Sequence, residues 1–210
     1  MKLITIYTKK IKMQIQNKYI GDDKFSKMLE HYNCNMPLDV IKMRIAGAIC
    51  SPNADLRPVD VISSLWEENK SPRLQTKEEA DLFFKFFMGL WDEMFNLINI
   101  NKLKLPKLDV NNQENYCTSR FEEIELGFLE GFWGGKEDYQ LPAFIAQVLD
   151  NLSDLAQAYQ NVLKKVKKGD DKKAIKEVLL NTDRLVEKTI SFIVDNQVLP
   201  NIEKLKRSVN

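Results

Sequence analysis

SRFEEIELGFLEGFWGG, residues 119–135, decides how the chain is read. Ser119 followed three residues later by Glu122 is a capping-box pattern, which predicts a helix start. Gly134-Gly135 predicts its stop, because glycine enters the left-handed cap conformation without a Cβ penalty. At about 100° per residue, Phe121, Ile124, Phe128 and Phe132 share one face, while Leu126, Leu129 and Trp133 lie on its neighbour. Glu123 and Glu130 mark the expected wet edge. A helix this apolar is covered on most sides and is expected at the centre of the fold. Gly127 and Gly131 form a strip without side chains, and each costs about 1 kcal/mol relative to Ala in a helix interior. A second backbone packed against the strip offsets that cost. Gly127, Phe128, Gly131 and Phe132 are therefore expected to form a helix-crossing point.

Downstream, Pro142 predicts the start of a long helix to about Lys168, with Leu141, Ile145, Val148, Leu152, Leu155, Tyr159, Val162 and Val166 at steps of three and four. Gly169-Asp170-Asp171 is a compact turn. A last helix is expected from about Lys172 to Gln197, with Ile175, Leu179, Val186, Ile190 and Ile193 inward and Pro200 beyond it. The two pair as an antiparallel hairpin roughly 40 Å long at 1.5 Å per residue.

Upstream, Asp23 is expected to cap a short helix to about Tyr32, and Pro37 to precede a helix over Leu38–Cys50 that Ser51-Pro52-Asn53 ends. Pro58 suits the first turn of a helix to Glu68. Thr76 and Glu79 repeat the capping pattern and open an apolar helix over Ala80–Ile100, buried on three sides. Asn101–Tyr116, with no period and with Pro106, reads as a long loop. Residues 1–21 hold five lysines and no acid, and read as a basic arm that packs on the body or on a partner. The fold class predicted is one all-α domain of about seven helices over 22–199, with a tail over 200–210.

Composition narrows the function. A net charge of +1 excludes whole-molecule attraction to nucleic acid or membrane. Cys34, Cys50 and Cys117 are odd in number and widely spaced, which suits free thiols in a reducing compartment. Neither a signal peptide nor an apolar run of about 18 residues is apparent, so a cytoplasmic location without a membrane span is expected.

Chemistry is sparse. His31 is the one histidine, so the paired Glu-x-x-His motifs of a helical di-iron site are absent. His31 and Cys34 are three apart, and Cys50 and Cys117 could complete a tetrahedral zinc set, but no Cys-x-x-Cys pair requires it. Nothing in the sequence accompanies a cysteine nucleophile with an oxyanion-hole turn. Gly134-Gly135-Lys136 lacks the rest of a phosphate loop. No catalytic, cofactor-binding or metal residues are therefore assigned. Lys164, Lys165, Lys167, Lys168, Lys172 and Lys173, with Lys176 nearby, surround the hairpin tip. They could meet phosphates, or simply solvate a helix end where lysines suit the helix dipole.

Ile45-Ala46-Gly47-Ala48-Ile49-Cys50, Pro58–Trp66, Arg120–Gly135 with its Gly127-Phe128 and Gly131, and Leu141–Ala156 together resemble the YecA/YgfB-like family of small all-α bacterial proteins. The resemblance spans about 38–195. The family's Trp three residues before the Gly-Phe pair is Ile124 here. The cysteine-rich metal-binding tail of some members has no counterpart in residues 200–210, so no metal is carried over. The resemblance implies an all-α bacterial cytosolic protein and supplies no catalytic residues. The function expected is a non-catalytic interaction module, an adaptor or regulator that binds a protein partner or itself. Nucleic-acid association through the lysine-rich tip or the basic arm is the alternative, and an enzyme with an unrecognised site is the second alternative.

Overall fold

The computed structural model describes residues 18–53, 56–66, 71–135 and 140–203. The expected basic arm falls almost wholly outside them, as do residues 204–210.

Two helices cross at the middle. α1 (Asp22–His31) leads into α2 (Leu38–Cys50), which Pro37 starts and Ser51-Pro52 stops. From Ile45 to Cys50 every residue of α2 is buried, so this helix threads the core rather than lining it. Across it runs one rod made of α5 (Gln113–Glu122), a π-helical stretch (Glu123–Leu129) and α6 (Glu130–Trp133). Between them, α3 (Pro58–Ser63) and α4 (Lys77–Asn99) close one side, where Phe25, Trp66, Phe83 and Phe87 stack at tilted and edge-on angles. α7 (Ala143–Lys168) and α8 (Lys172–Ile193) form the antiparallel C-terminal hairpin, turned at Gly169 with φ 81°. α7 packs along α5, and one continuous apolar core joins all of these elements. Among the described residues there are seven helical rods and no strand, one all-α domain.

The crossing of α2 and the rod has no room for side chains. A Cβ on Gly47 would overlap the Phe128 carbonyl, and one on Gly131 would overlap the Arg44 carbonyl. At Gly127 the nearest atom would be Met43 Cβ, at 2.8 Å. Phe128 and Phe132, beside these glycines, are fully buried.

Several expectations need correcting. The rod starts at Gln113, not at Ser119, because Asn112 Oδ1 accepts from Asn115 N and an Asp109–Asn111 turn delivers the chain there. Ser119 and Glu122 lie inside the helix, and the preceding loop is shorter than read. Glu123 is buried rather than wet. A step of four residues turns an α-helix by about 40°, but the π stretch inserts an extra residue per turn. Ile124, Phe128 and Phe132 are all fully buried, and Glu123, three residues after the buried Arg120, lies on the same face and meets its Nη1.

α3 ends at Ser63 rather than Glu68, since Arg44 takes the Ser64 carbonyl at 3.0 Å and Trp66 Nε1 donates to the Tyr32 carbonyl at 2.9 Å. α1 starts at Asp22, after Gly21, one residue before the expected cap. The last helix does not stop before Pro200. It passes through a second π stretch (Val194–Val198) and stays helical over 199–203. Proline lacks an N–H and crowds the carbonyl four residues back. The widened turn makes room for it, and Asn196 Nδ2 caps the Phe192 carbonyl at 2.9 Å.

Candidate functional site

The densest polar cluster is buried where α5, α7 and α8 meet. Arg120, on the rod, donates through Nε and Nη2 to Asp183 on α8, the shortest at 3.0 Å. Its Nη1 reaches Glu123, and Nη2 also takes the Pro106 carbonyl at 2.7 Å, which fastens the 101–112 loop. Asp183 accepts further hydrogen bonds from Tyr116 OH, at 2.5 Å, and from Tyr159 OH, at 2.7 Å. The guanidinium lies 5.0 Å from the Tyr116 ring centre. Arg120 and Glu123 are almost wholly inaccessible, and Tyr159 is fully buried.

This environment sets the protonation of each group. Burial works against the Arg120 cation, but Glu123 and Asp183 outweigh it and hold its pKa above the ordinary value. Burial pushes Glu123 up to about 7 against the pull of Arg120, and the Asp39 and Asp183 carboxylates add to the rise. Burial and the Asp183 carboxylate push Tyr116 up to about 12 and Tyr159 higher. Among the described residues no buried side-chain nitrogen or oxygen lacks a hydrogen-bond partner. Such a knot rigidifies; its donors and acceptors are engaged with one another.

The cysteines and the histidine do not converge. His31 is exposed and meets the Tyr32 ring edge-on at 4.7 Å. Cys34 Sγ contacts the Leu65 carbonyl at 3.6 Å. Burial raises all three thiols, Cys50 to about 12 and Cys117 to about 11, which disfavours the thiolate that attacks or binds metal. Among the described residues no three His, Cys, Asp or Glu side chains group to hold a metal.

Two clefts flank Arg44 on α2. The larger, about 460 Å³, is lined by Asn33, Asn35, Met36, Trp66 and Leu126. The smaller, about 170 Å³, lies toward Asp60 and Glu130. Arg44 does not reach freely into either: Nε and Nη2 grip the Leu126 carbonyl at 2.9 and 2.7 Å. It is a strut from α2 to the π stretch.

The hairpin presents a different surface. The inward face of α8 is Ile175, Leu179, Val186, Ile190 and Ile193. Outside it, Val178, Leu185 and Phe192 follow one another every seven residues, each between 43% and 51% exposed. Phe144 at the base of α7 is equally exposed and meets Phe192 edge-on, at 6.3 Å between ring centres. At the tip, Val162 and Val178 line a cleft of about 380 Å³. Lys164, Lys165, Lys167, Lys168, Lys172 and Lys173 surround that tip, exposed, with Asp170 and Asp171 among them.

Sequence reasoning missed the knot and the outer row. The knot had a signal: Asp183 lies four residues after Leu179 and three before Val186, in phase with the apolar face of its helix. Tyr159 lies in the apolar row of α7. No protein-family model, curated protein or solved structure matches the chain.

Proposed function

We propose that the chain is a non-catalytic helical docking module of a bacterial cytoplasm, and that the outer face of the α7–α8 hairpin receives its partner. The observation that carries this reading is the heptad row Val178, Leu185 and Phe192, joined by Phe144, left open to solvent on two antiparallel helices. Two helices with an apolar row at this spacing are half of a four-helix bundle, and a helical partner supplies the other half. The buried knot supports the same reading from the other side, since its Arg, Glu, Asp and Tyr groups hold helices together instead of facing a substrate. The YecA/YgfB-like resemblance belongs to the proposal as well. Two of the four stretches that carry it, Ile45–Cys50 and Arg120–Gly135, cross through Gly47 and Gly131.

A photo-cross-linking side chain placed at Leu185, with Glu93 on the exposed side of α4 as the control position, tests the reading in cells. A discrete adduct of higher mass is expected from position 185 and none from position 93. If position 185 gives no more adduct than the control, the hairpin face is not a docking surface.

A further inference from the structure

The charges beside the apolar row specify what covers it. Level along the hairpin is set by two contacts, Phe144 against Phe192 at the base and Val162 beside Val178 at the tip. Counting between them puts Asp154 of α7 level with Arg184 of α8, and Asp150 level with Lys188. All four are exposed, and none forms an ion pair with a described residue. Arg184 reaches only Asn181, at 2.9 Å. Over its middle the face thus has an apolar seam, an acidic margin on α7 and a basic margin on α8 at the same height, while toward the tip both helices carry exposed lysines, with Glu177 among them on α8.

We infer that the docking partner is a second copy of this chain, related by a two-fold axis running parallel to α7 and α8. That axis lays α7 of one copy over α8 of the other without shifting either along its length. Asp150 and Asp154 then meet Lys188 and Arg184, and symmetry repeats the match on the opposite edge. Phe144, Val178, Leu185 and Phe192 of both copies close between the two charged margins. The alternative axis, perpendicular to the helices, sets α7 on α7 and α8 on α8, and where it passes between Asp150 and Asp154 it opposes acid to acid and base to base. Like charges opposed there weigh against that register; the parallel axis in turn brings the two lysine-rich tips to one end, where Asp170 and Asp171 of each copy offset part of the repulsion. Charged margins flanking an apolar seam set partner and orientation in coiled coils in the same way. A face ~40 Å long and ~20 Å wide gives about 800 Å² per copy, the size of a stable interface.

This inference rests on the docking reading, and mass measurement separates the two. Sedimentation of the full chain at ~100 μM, well above a micromolar dissociation constant, is expected to give twice the mass of the 24.4 kDa chain. Leu185→Glu should raise the dissociation constant at least about 100-fold by placing a charge in the seam twice, while thermal melting of the monomer is unchanged. Asp150→Lys with Asp154→Lys should weaken the dimer. Adding Arg184→Glu and Lys188→Glu in the same chain should restore it, because each margin then meets its reversed opposite. A monomeric wild type, a dimer indifferent to Leu185→Glu, or a four-fold reversal that stays weak would each overturn the inference. A monomer that still cross-links at position 185 to a protein of another mass refutes self-pairing and leaves the docking reading standing. A monomer with no adduct there removes both.

Discussion

Replacing Gly131 with alanine adds one methyl group to a helix, where alanine is favoured over glycine by about 1 kcal/mol. Here the same change should destabilise. The new Cβ would overlap the Arg44 carbonyl, and Arg44 Cα lies within 2.9 Å of the same point. The obstacle is backbone on both sides, so no side chain can swing away. α2 and the rod would have to part by more than about 1 Å, and a gap of that size forfeits about a quarter to a half of each dispersion contact across the crossing. Overpacking typically costs 1–3 kcal/mol, and a backbone clash sits at the upper end, about 3 kcal/mol. After the helix gain the net loss is about 2 kcal/mol, which lowers the melting temperature by about 4–8 °C for a domain of this size. Gly127→Ala is the internal standard. Its Cβ meets Met43 Cβ at 2.8 Å and the Val40 carbonyl at 3.1 Å, a milder approach than at Gly131, so the net loss should be smaller. Thermal melts of both variants decide the matter. A Gly131→Ala protein that melts at or above wild type, or one that matches Gly127→Ala, would refute the crossing as described.

Glu123 should make stability fall as pH rises. Its pKa is pushed from 4.5 to about 7 in the fold, so the folded chain holds a proton that the unfolded chain has released. The stabilisation is complete below about pH 4.5 and disappears as pH passes through 7. Glu123→Gln should flatten that slope in denaturant titrations and exceed wild-type stability at pH 8; an unchanged slope would place the titration elsewhere. Asp183→Asn leaves the Arg120 cation without its main partner in the knot and should cost about 3–5 kcal/mol, measured by urea unfolding. A loss below 1 kcal/mol would mean that the knot is hydrated and weak. Finally, Lys164, Lys165, Lys167 and Lys168 changed together to Gln should alter neither melting nor assembly mass. Filter binding to single-stranded RNA at about 150 mM salt is expected to find no affinity for the wild type to lose, and a steep, salt-dependent loss would move the function to the tip.

Helix bounds were legible wherever a side chain punctuates the backbone. Pro37 and Ser51-Pro52 bracket α2, Thr76 Oγ1 accepts from Glu79 N at 3.1 Å, and Gly169 turns the hairpin. Ser119 with Glu122 misled because a capping pattern is satisfied by chance inside a helix, and Asn112 lacks an acidic residue three positions on to announce it. The π stretches were illegible for a different reason. A phase calculation assumes one turn length, and a single extra residue rotates everything after it. Leu126 was therefore counted among the covered residues when it is 46% exposed, whereas Glu123 was placed outside on its charge alone, although it lies three residues after Arg120 on the inward face. The knot was half legible. Tyr159 and Asp183 stand in apolar rows, but only the packing of α5, α7 and α8 says that they share one arginine. The outer row on α8 was passed over because Val178, Leu185 and Phe192 lie just beside the inward face.

The crossing of α2 and the rod also has a consequence in time. Arg44 and the Leu126 carbonyl that it grips are 82 residues apart. At roughly 5–20 residues per second, synthesis takes about 4–16 s to supply the second helix after the first. Through that interval Ile45 to Cys50 have only α1, α3 and α4 beside them, and the face that the rod covers in the finished protein stays open. The hairpin, whose two helices are joined by three residues, closes within microseconds to milliseconds of emerging. Birth of this fold on the ribosome is thus paced by its N-terminal half waiting for its middle, with one face of α2 open until the rod arrives.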